Sequence, residues 1–177
     1  MLDLSQSSYQ SAKLIFERRE VRTVKDELCE VLRKTTVPSD DPVHSMLREI
    51  GVALTCKGWA DLGRRSGDEV LDRFGIRMPG QFRKDRVQVD IEFVVEKDWR
   101  SGIFCLQYFF SQRTVDACIV VVPTKRFATA LQRNIACYEL VSTELRWARR
   151  FITAPILVFG VEPADQEPLS ASEERAA

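Results

Sequence analysis

Histidine is almost absent from this chain, because His44 is the only one among 177 residues. Catalytic schemes that pair histidine with serine or cysteine, and zinc sites built from several histidines, therefore have almost no material. His44 itself lies in the polar stretch "DDPVHSMLREI", where we expect an ordinary surface side chain. Any catalytic chemistry must use other groups.

Glycine-rich phosphate loops and long apolar runs are also missing. None of the 8 glycines forms a G-x-x-x-x-G-K-[ST] loop or a G-x-G-x-x-G turn after a strand, so no nucleotide cofactor is expected. No stretch approaches the roughly 18 apolar residues that a membrane-spanning helix needs. We therefore expect no association with a membrane.

Net charge is absent as well, since 26 Lys and Arg residues balance 26 Asp and Glu residues. Any surface that binds anions must be local. The five cysteines are odd in number and contain no C-x-x-C pair, which is typical of free thiols in a reducing compartment. The first residues, "MLDLSQSSYQ", lack a basic region followed by an apolar run. These features predict a cytoplasmic protein.

Helical periodicity dominates residues 1–80. Apolar stripes predict helices over 24–32 and 43–54, and a capping pattern at Ser66 predicts a short third helix that ends before "GIRMPG". After "GIRMPG" the spacing of apolar residues changes from a helical to a strand period.

A hairpin is predicted from Gln81 onward: a short strand, a basic turn and the stretch "RVQVDIEF". Apolar and polar residues alternate in that stretch, which predicts a half-buried strand. Its polar face carries Arg86, Gln88, Asp90 and Glu92. One interpretation is that the two acids are simply solvated, as on the wet side of an antiparallel sheet.

The remaining pattern favours alternating strands and helices. "DWRSGIFCLQYFFSQRT" favours a helix, with a strand as the competitor, and "VDACIVVVP" predicts a strand buried on both faces. Helical stripes then lead to the strand "APILVFGVE". We predict an α/β fold with a central mixed sheet flanked by helices. One domain spans 1–162, with a helical part at 1–80, a core at 81–162 and a flexible tail at 163–177.

The acid pair suggests a metal site. Two carboxylates that lie two residues apart on one face of a strand can share a hard cation such as Mg²⁺, which can polarise a phosphoryl oxygen. A polyanion would need cations nearby, and the neighbouring sequence supplies Arg83, Lys84, Arg86, Lys97 and Arg100. A run of charges is more often only a solvated surface.

Four segments strengthen the metal-site interpretation. "KDRVQVDIEF", "KDWRSG", "VDACIVVVPTKRFATALQRNIACYE" and "ITAPILVFGVE" resemble, in order and spacing, the catalytic half of the BamHI and BglII-like type II restriction endonucleases, which belong to the PD-(D/E)XK nuclease superfamily. The resemblance covers residues 81–162. It implies a restriction-endonuclease-like core and Mg²⁺-dependent cleavage of double-stranded DNA, with Mn²⁺ as a substitute.

The resemblance also implies residue roles. Asp90 and Glu92 would hold the metal, Glu92 would orient or deprotonate the attacking water, and Gln81 would occupy the third catalytic position. Arg100 and Ser101 match a segment that faces DNA in the family. The full predicted DNA-binding set is Lys84, Arg86, Lys97, Arg100 and Ser101. A homodimer is expected, formed through the helices at 98–112 and 130–150.

One departure leaves three alternatives open. The family has an aspartate where this chain has Gln81, a neutral and poorer Mg²⁺ ligand; Glu69, Asp72 or Asp85 could replace it. Otherwise the chain is a nuclease-fold protein that binds DNA or a partner without cleavage. A third alternative is that the hairpin is misaligned with the family. Apart from this departure, an unrelated α/β scaffold also stays open as an interpretation of the whole chain.

Overall fold

The computed structural model describes residues 1–38, 40–63, 73, 80–93, 99–131 and 135–164. The strands are β1 (Leu2–Tyr9), β2 (Ala60–Asp61), β3 (Gln81–Lys84), β4 (Val87–Ile91), β5 (Ala117–Pro123) and β6 (Ile156–Pro163). The helices are α1 (Ala12–Phe16), α2 (Arg19–Lys34), α3 (Pro42–Cys56), α4 (Trp99–Ser111), α5 (Lys125–Ala130) and α6 (Tyr138–Trp147), the last followed by a 3-10 turn, Ala148–Arg150.

The six strands form one mixed sheet in the order β1-β6-β5-β4-β3-β2. The central strands β4, β5 and β6 run parallel, joined by helical crossovers. Antiparallel strands flank them, with β1 against β6 on one side and β3 and β2 beyond β4 on the other. The predicted α/β class with a mixed sheet and flanking helices is confirmed.

Two apolar clusters lie on opposite faces of the sheet. One joins α1, α2 and α3 to the odd-numbered side chains of β4, which include Val89 and Ile91. The other joins α4 and α6 to β5 and β6, with Ile103, Leu106 and Leu145 among its members. All seven residues of β5 are buried, because its continuous β-branched run is covered by helices on both sides. The predicted central strand is therefore confirmed.

The prediction of a half-buried β4 was wrong. All five residues of this strand are buried, and Asp90 and Glu92 are only 1% and 3% exposed. The polar face of the strand meets the layer of α4 rather than water. The two acids are thus not solvated surface side chains, and their burial requires partners.

The N-terminal part is only partly as predicted. The helices expected at 24–32 and 43–54 are confirmed as α2 and α3. The strands β1 and β2 were missed, and β1 pairs with β6 along its full length. Apart from residue 73, the helix predicted from Ser66 lies outside the described residues, as does the tail from residue 165 onward. Within the part of the chain that the structure describes, no helix is long and apolar enough to cross a membrane.

Candidate active site

The β3–β4 hairpin brings four polar side chains together. In its register Gln81 lies opposite Asp90, and Arg83 lies opposite Gln88. Side chains of directly opposed residues project from the same face of a hairpin. The alternation that places Gln88 and Asp90 on one face of β4 therefore places all four in one row, on the side of α4.

Hydrogen bonds connect this row from end to end. Arg83 Nη2 and Nε donate to Gln88 Oε1 at 2.9 and 3.3 Å. Gln88 Nε2 donates to Gln81 Oε1 at 2.9 Å, and Gln81 Nε2 donates to Asp90 Oδ2 at 2.9 Å. Both glutamines are fully buried. Because each amide is satisfied at its oxygen and its nitrogen, the network can remain in the interior without a large desolvation cost.

The chemistry at the two ends of the row fixes its direction. A guanidinium can only donate hydrogen bonds and an ionised carboxylate can only accept them. Arg83 therefore requires the oxygen of Gln88, and Asp90 requires the nitrogen of Gln81. Both ends select the same orientation of the two amides between them.

Helix α4 passes directly over the acid pair at Gly102. A Cβ atom at this position would lie 1.9 Å from Asp90 Oδ2 and 2.7 Å from Glu92 Oε1. Both distances are well inside van der Waals contact, so only glycine permits this approach. The carboxylate oxygens of Asp90 and Glu92 accordingly lie close to one another beneath the first turn of α4, whose positive dipole end attracts negative charge.

The donor chemistry of the pair fits a divalent cation. Two neighbouring carboxylates on a rigid strand are hard oxygen ligands of the kind that Mg²⁺ takes while keeping several waters. Among the described residues, no group of three His, Cys, Asp or Glu side chains could hold a metal ion. Within the described residues, the pair would supply two protein ligands to such a cation.

Three acids of the sequence are candidates for a third ligand. Asp85 lies in the hairpin turn with a φ of 50°, beyond the Lys84–Val87 pair, which is already three residue pairs along the register from Asp90. Its separation from Asp90 therefore exceeds about 10 Å at the rise of a strand. It is too distant to share a cation. Glu69 and Asp72 lie outside the described residues.

Lys84 and Arg86, predicted to contact DNA, lie at the turn end of the hairpin, away from the acid pair. Lys84 Nζ is 2.6 Å from Glu27 Oε2. Arg86 binds Asp116 through Nε and Nη2 at 2.6 and 2.7 Å. This hydrogen bonding lowers the pKa of Asp116.

Arg100 and Ser101 lie beside Gly102 in the first turn of α4, and both are exposed. Arg100 forms a two-pronged ion pair with Glu144 of α6, at 2.7 and 3.0 Å. Lys97, the remaining predicted DNA-binding residue, lies outside the described residues. The structure therefore brings two of the five predicted DNA-binding residues to the helix turn that covers the acid pair.

Sequence reasoning missed three contributors to this site: Gln88, Gly102 and the inward role of Arg83. Gln88 shares the polar face of β4 with the acids, which was a visible signal. Gly102 interrupts an otherwise apolar helical pattern, which often marks a close packing contact. Arg83 was counted with the basic turn, but its guanidinium stacks 4.3 Å from the centre of the Phe109 ring.

An apolar groove lies between α4 and α6. Its cavity volume is about 400 Å³, and its lining includes Phe104, Trp147 and Phe151. These three side chains are 65%, 78% and 78% exposed. Three large apolar side chains exposed around one groove are unusual on a surface that faces only water.

The comparisons with known proteins agree with this architecture. The family model described as restriction endonuclease BglII/BglIII matches residues 4–161. A solved structure of BglII restriction endonuclease in complex with a DNA 16-mer superimposes with a TM-score of 0.68 at 15% identity, covering 93% of this chain and 78% of that one. Free BglII gives a TM-score of 0.60 at 15% identity, covering 93% and 82%. No curated protein matches this chain significantly.

Proposed function

Because the chain belongs to the BglII/BglIII restriction endonuclease family, we propose that it is a Mg²⁺-dependent endonuclease that hydrolyses phosphodiester bonds of double-stranded DNA. The single observation that carries this proposal is the buried acid pair. Asp90 and Glu92 lie side by side beneath α4, and burying two like charges together is costly unless a cation or donors compensate them.

The proposed roles follow from the position of each group. Asp90 and Glu92 would hold the divalent ion, which when bound would supply Lewis-acid polarisation of the scissile phosphate. Glu92 would also orient the attacking water and accept its proton. Gln81 would act on the reaction only through Asp90, because its amide nitrogen donates to Asp90 Oδ2.

The DNA backbone would approach the exposed first turn of α4. Arg100 and Ser101 are exposed there, on the same turn as Gly102. A guanidinium and a hydroxyl at the start of a helix suit a phosphate. The similar BglII structure is a complex with DNA, which supports DNA as the substrate. Lys84 and Arg86, at the turn end of the hairpin, would contact more distant phosphates, and Lys97 remains a predicted DNA contact.

We also propose a homodimer formed through α4 and α6. Phe104, Trp147 and Phe151 border the groove between these helices and are largely exposed. Covering them with a second copy would bury apolar surface, and a two-fold axis would present one acid pair to each DNA strand. None of the five cysteines, all of which the structure describes, forms a disulfide, which supports the predicted cytoplasmic location.

A second candidate is a family member that binds DNA without cutting it. This alternative is favoured by Gln81, which places a neutral donor where the family resemblance implies an aspartate. Two carboxylates would then provide a weak cation site. The two candidates differ in chemistry but share the DNA-binding surface.

Cleavage of supercoiled plasmid in Mg²⁺ or Mn²⁺ separates the candidates. Nicking and linearisation are expected for the wild type, and Glu92→Gln should reduce the rate about 100-fold or more. The control is Glu49→Gln, the same change at an exposed glutamate whose carboxylate accepts from Thr36. If the Glu92→Gln variant cleaves DNA at the wild-type rate, Glu92 does not have the proposed catalytic role. DNA binding without cleavage in either metal would support the second candidate, and no binding at low salt would contradict both.

A further inference from the structure

We propose that Arg83 and Gln88 are positioning residues that keep the nitrogen of the Gln81 amide directed at Asp90, so that Gln81 serves as a hydrogen-bond donor and not as a metal ligand. The inference rests on the proposed metal site at Asp90 and Glu92. It explains how this chain uses a glutamine at a position where the family resemblance implies an aspartate.

A metal ion could use Gln81 only through its amide oxygen. That oxygen now accepts from Gln88 Nε2, so the Gln81 amide would have to rotate by half a turn. Its nitrogen would then face the nitrogen of Gln88, and two donors cannot bond each other. Gln88 would have to rotate as well, which would direct its nitrogen at the guanidinium of Arg83.

Arg83, at one end of the hydrogen-bonded row, cannot compensate for rotation of the two amides. A guanidinium has no acceptor atom, so rotation of both amides would remove both hydrogen bonds that Arg83 donates to Gln88. The stacking of its guanidinium on Phe109 at 4.3 Å further restricts the group. Because Gln88 is fully buried, its rotated nitrogen would find no water to bond beside the half-buried Arg83.

The fixed orientation also benefits the acid pair. Asp90 and Glu92 repel one another when no cation is bound, and the Gln81 nitrogen partly offsets this repulsion by donating to Asp90 at 2.9 Å. The same donor restrains the position of the Oδ2 atom before a metal arrives. Arg83 and Gln88 would therefore affect the metal site without touching the metal.

The substitution Gln88→Glu tests the proposal because a carboxylate can accept from both neighbours. Glu at 88 would bond Arg83 and the nitrogen of Gln81, which turns the oxygen of Gln81 toward Asp90. We expect Mn²⁺ to bind at least about tenfold more tightly than to the wild type, measured by isothermal titration calorimetry on the full chain. Neutron diffraction from deuterated crystals would show which end of Gln81 faces Asp90.

Two further variants make the test specific. Gln107→Glu adds the same charge at another glutamine whose Oε1 accepts, there from the backbone nitrogens of Thr153 and Ala154 at 2.7 and 2.9 Å, and should leave Mn²⁺ affinity unchanged. Arg83→Met keeps an apolar contact with Phe109 but removes the donor end. We expect the Mn²⁺ affinity of Arg83→Met to rise by a smaller factor of about three. This variant also provides the test if Gln88→Glu does not fold.

The outcomes are distinct. The inference is overturned if the oxygen of Gln81 faces Asp90 in the wild type, if Gln81 keeps its orientation in Gln88→Glu, or if neither variant at 83 or 88 changes the orientation or the affinity. A rotated Gln81 in Gln88→Glu supports it. If the amide rotates but no variant binds Mn²⁺ or cleaves DNA, the positioning role stands and the proposed nuclease function fails.

Discussion

Gln81 and Asp90 are direct partners across the β3–β4 hairpin, and a hydrogen bond of 2.9 Å joins Gln81 Nε2 to Asp90 Oδ2. A neutral donor thus stands beside the acid pair where the family resemblance implied a third carboxylate. The pairing means that one substitution at Gln81 changes the charge of the site while leaving the opposed backbone in place.

Gln81→Asp should create a site with three carboxylates and make folding depend on a divalent ion. Without metal, the added negative charge faces Asp90 and should lower Tm by several degrees. Saturating Mn²⁺ should restore the loss, because ligand binding stabilises the folded state. Differential scanning calorimetry with and without Mn²⁺ measures both effects. Gln81→Asn, which adds no charge, is the control, and a Tm in Gln81→Asp that Mn²⁺ does not change would contradict the prediction.

Gly102→Ala should disturb the acid pair more than the rest of the fold. The added methyl group would overlap Asp90 Oδ2 and Glu92 Oε1, which should cost about 1–3 kcal/mol in stability and weaken Mn²⁺ binding. Gly51→Ala in α3 is the matched control, since its Cβ would lie at an ordinary 3.4 Å from Phe82 and should stabilise by up to about 1 kcal/mol. Urea unfolding and Mn²⁺ titration provide the measurements. Equal effects of the two substitutions would show that Gly102 has no special role.

The double variant Trp147→Ser, Phe151→Ser should shift the protein from dimer to monomer. Both side chains are 78% exposed beside the groove between α4 and α6. Their removal should therefore reduce the apolar area that the dimer interface buries, while the packing of the core stays unchanged. Light scattering after size-exclusion chromatography gives the mass. Leu14→Ser, at a 65% exposed side chain of α1, should leave the mass unchanged. A wild type that is monomeric at high concentration would refute the predicted assembly.

Arg100→Ala should weaken DNA binding and flatten its dependence on salt. Loss of one phosphate contact should reduce the slope of log K against log salt by about 1. The substitution also breaks the ion pair with Glu144, so the control is Arg126→Ala, which breaks a similar surface pair with Glu162. Fluorescence anisotropy at several salt concentrations measures the slopes. An identical slope in Arg100→Ala and the wild type would exclude the contact.

The sequence predicted the elements whose signal is local. The β-branched run of β5 and the helical stripe of α4 are defined by nearest neighbours in the chain, and both are confirmed. The hairpin was also predicted, because its two strands are joined by a short turn. The strand β1 was missed since its residues are stabilised by β6, a partner that lies at the far end of the sequence.

The burial of Asp90 and Glu92 could not be predicted for a related reason. Alternation of apolar and polar residues is the same whether the polar face of β4 meets water or a hydrogen-bond network under a helix. The distinction depends on α4, which returns over the strand only in the folded chain. Asp90 and Glu92 were therefore predicted as a candidate site, while the hydrogen bonds that connect Gln88 and Arg83 to Asp90 through Gln81 depend on the pairing of β3 with β4.

The close packing of α4 against Asp90 and Glu92 restricts which substitutions this sequence can accept. The neighbouring side chains of Ser101 and Phe104 are exposed and extend into solvent, whereas position 102 admits no atom beyond its backbone. A homologous sequence with a side chain at position 102 would need either a shorter side chain at position 90 or 92, or a larger distance between α4 and β4. Glycine after the acid pair is thus as informative a marker of an intact site as the acids themselves.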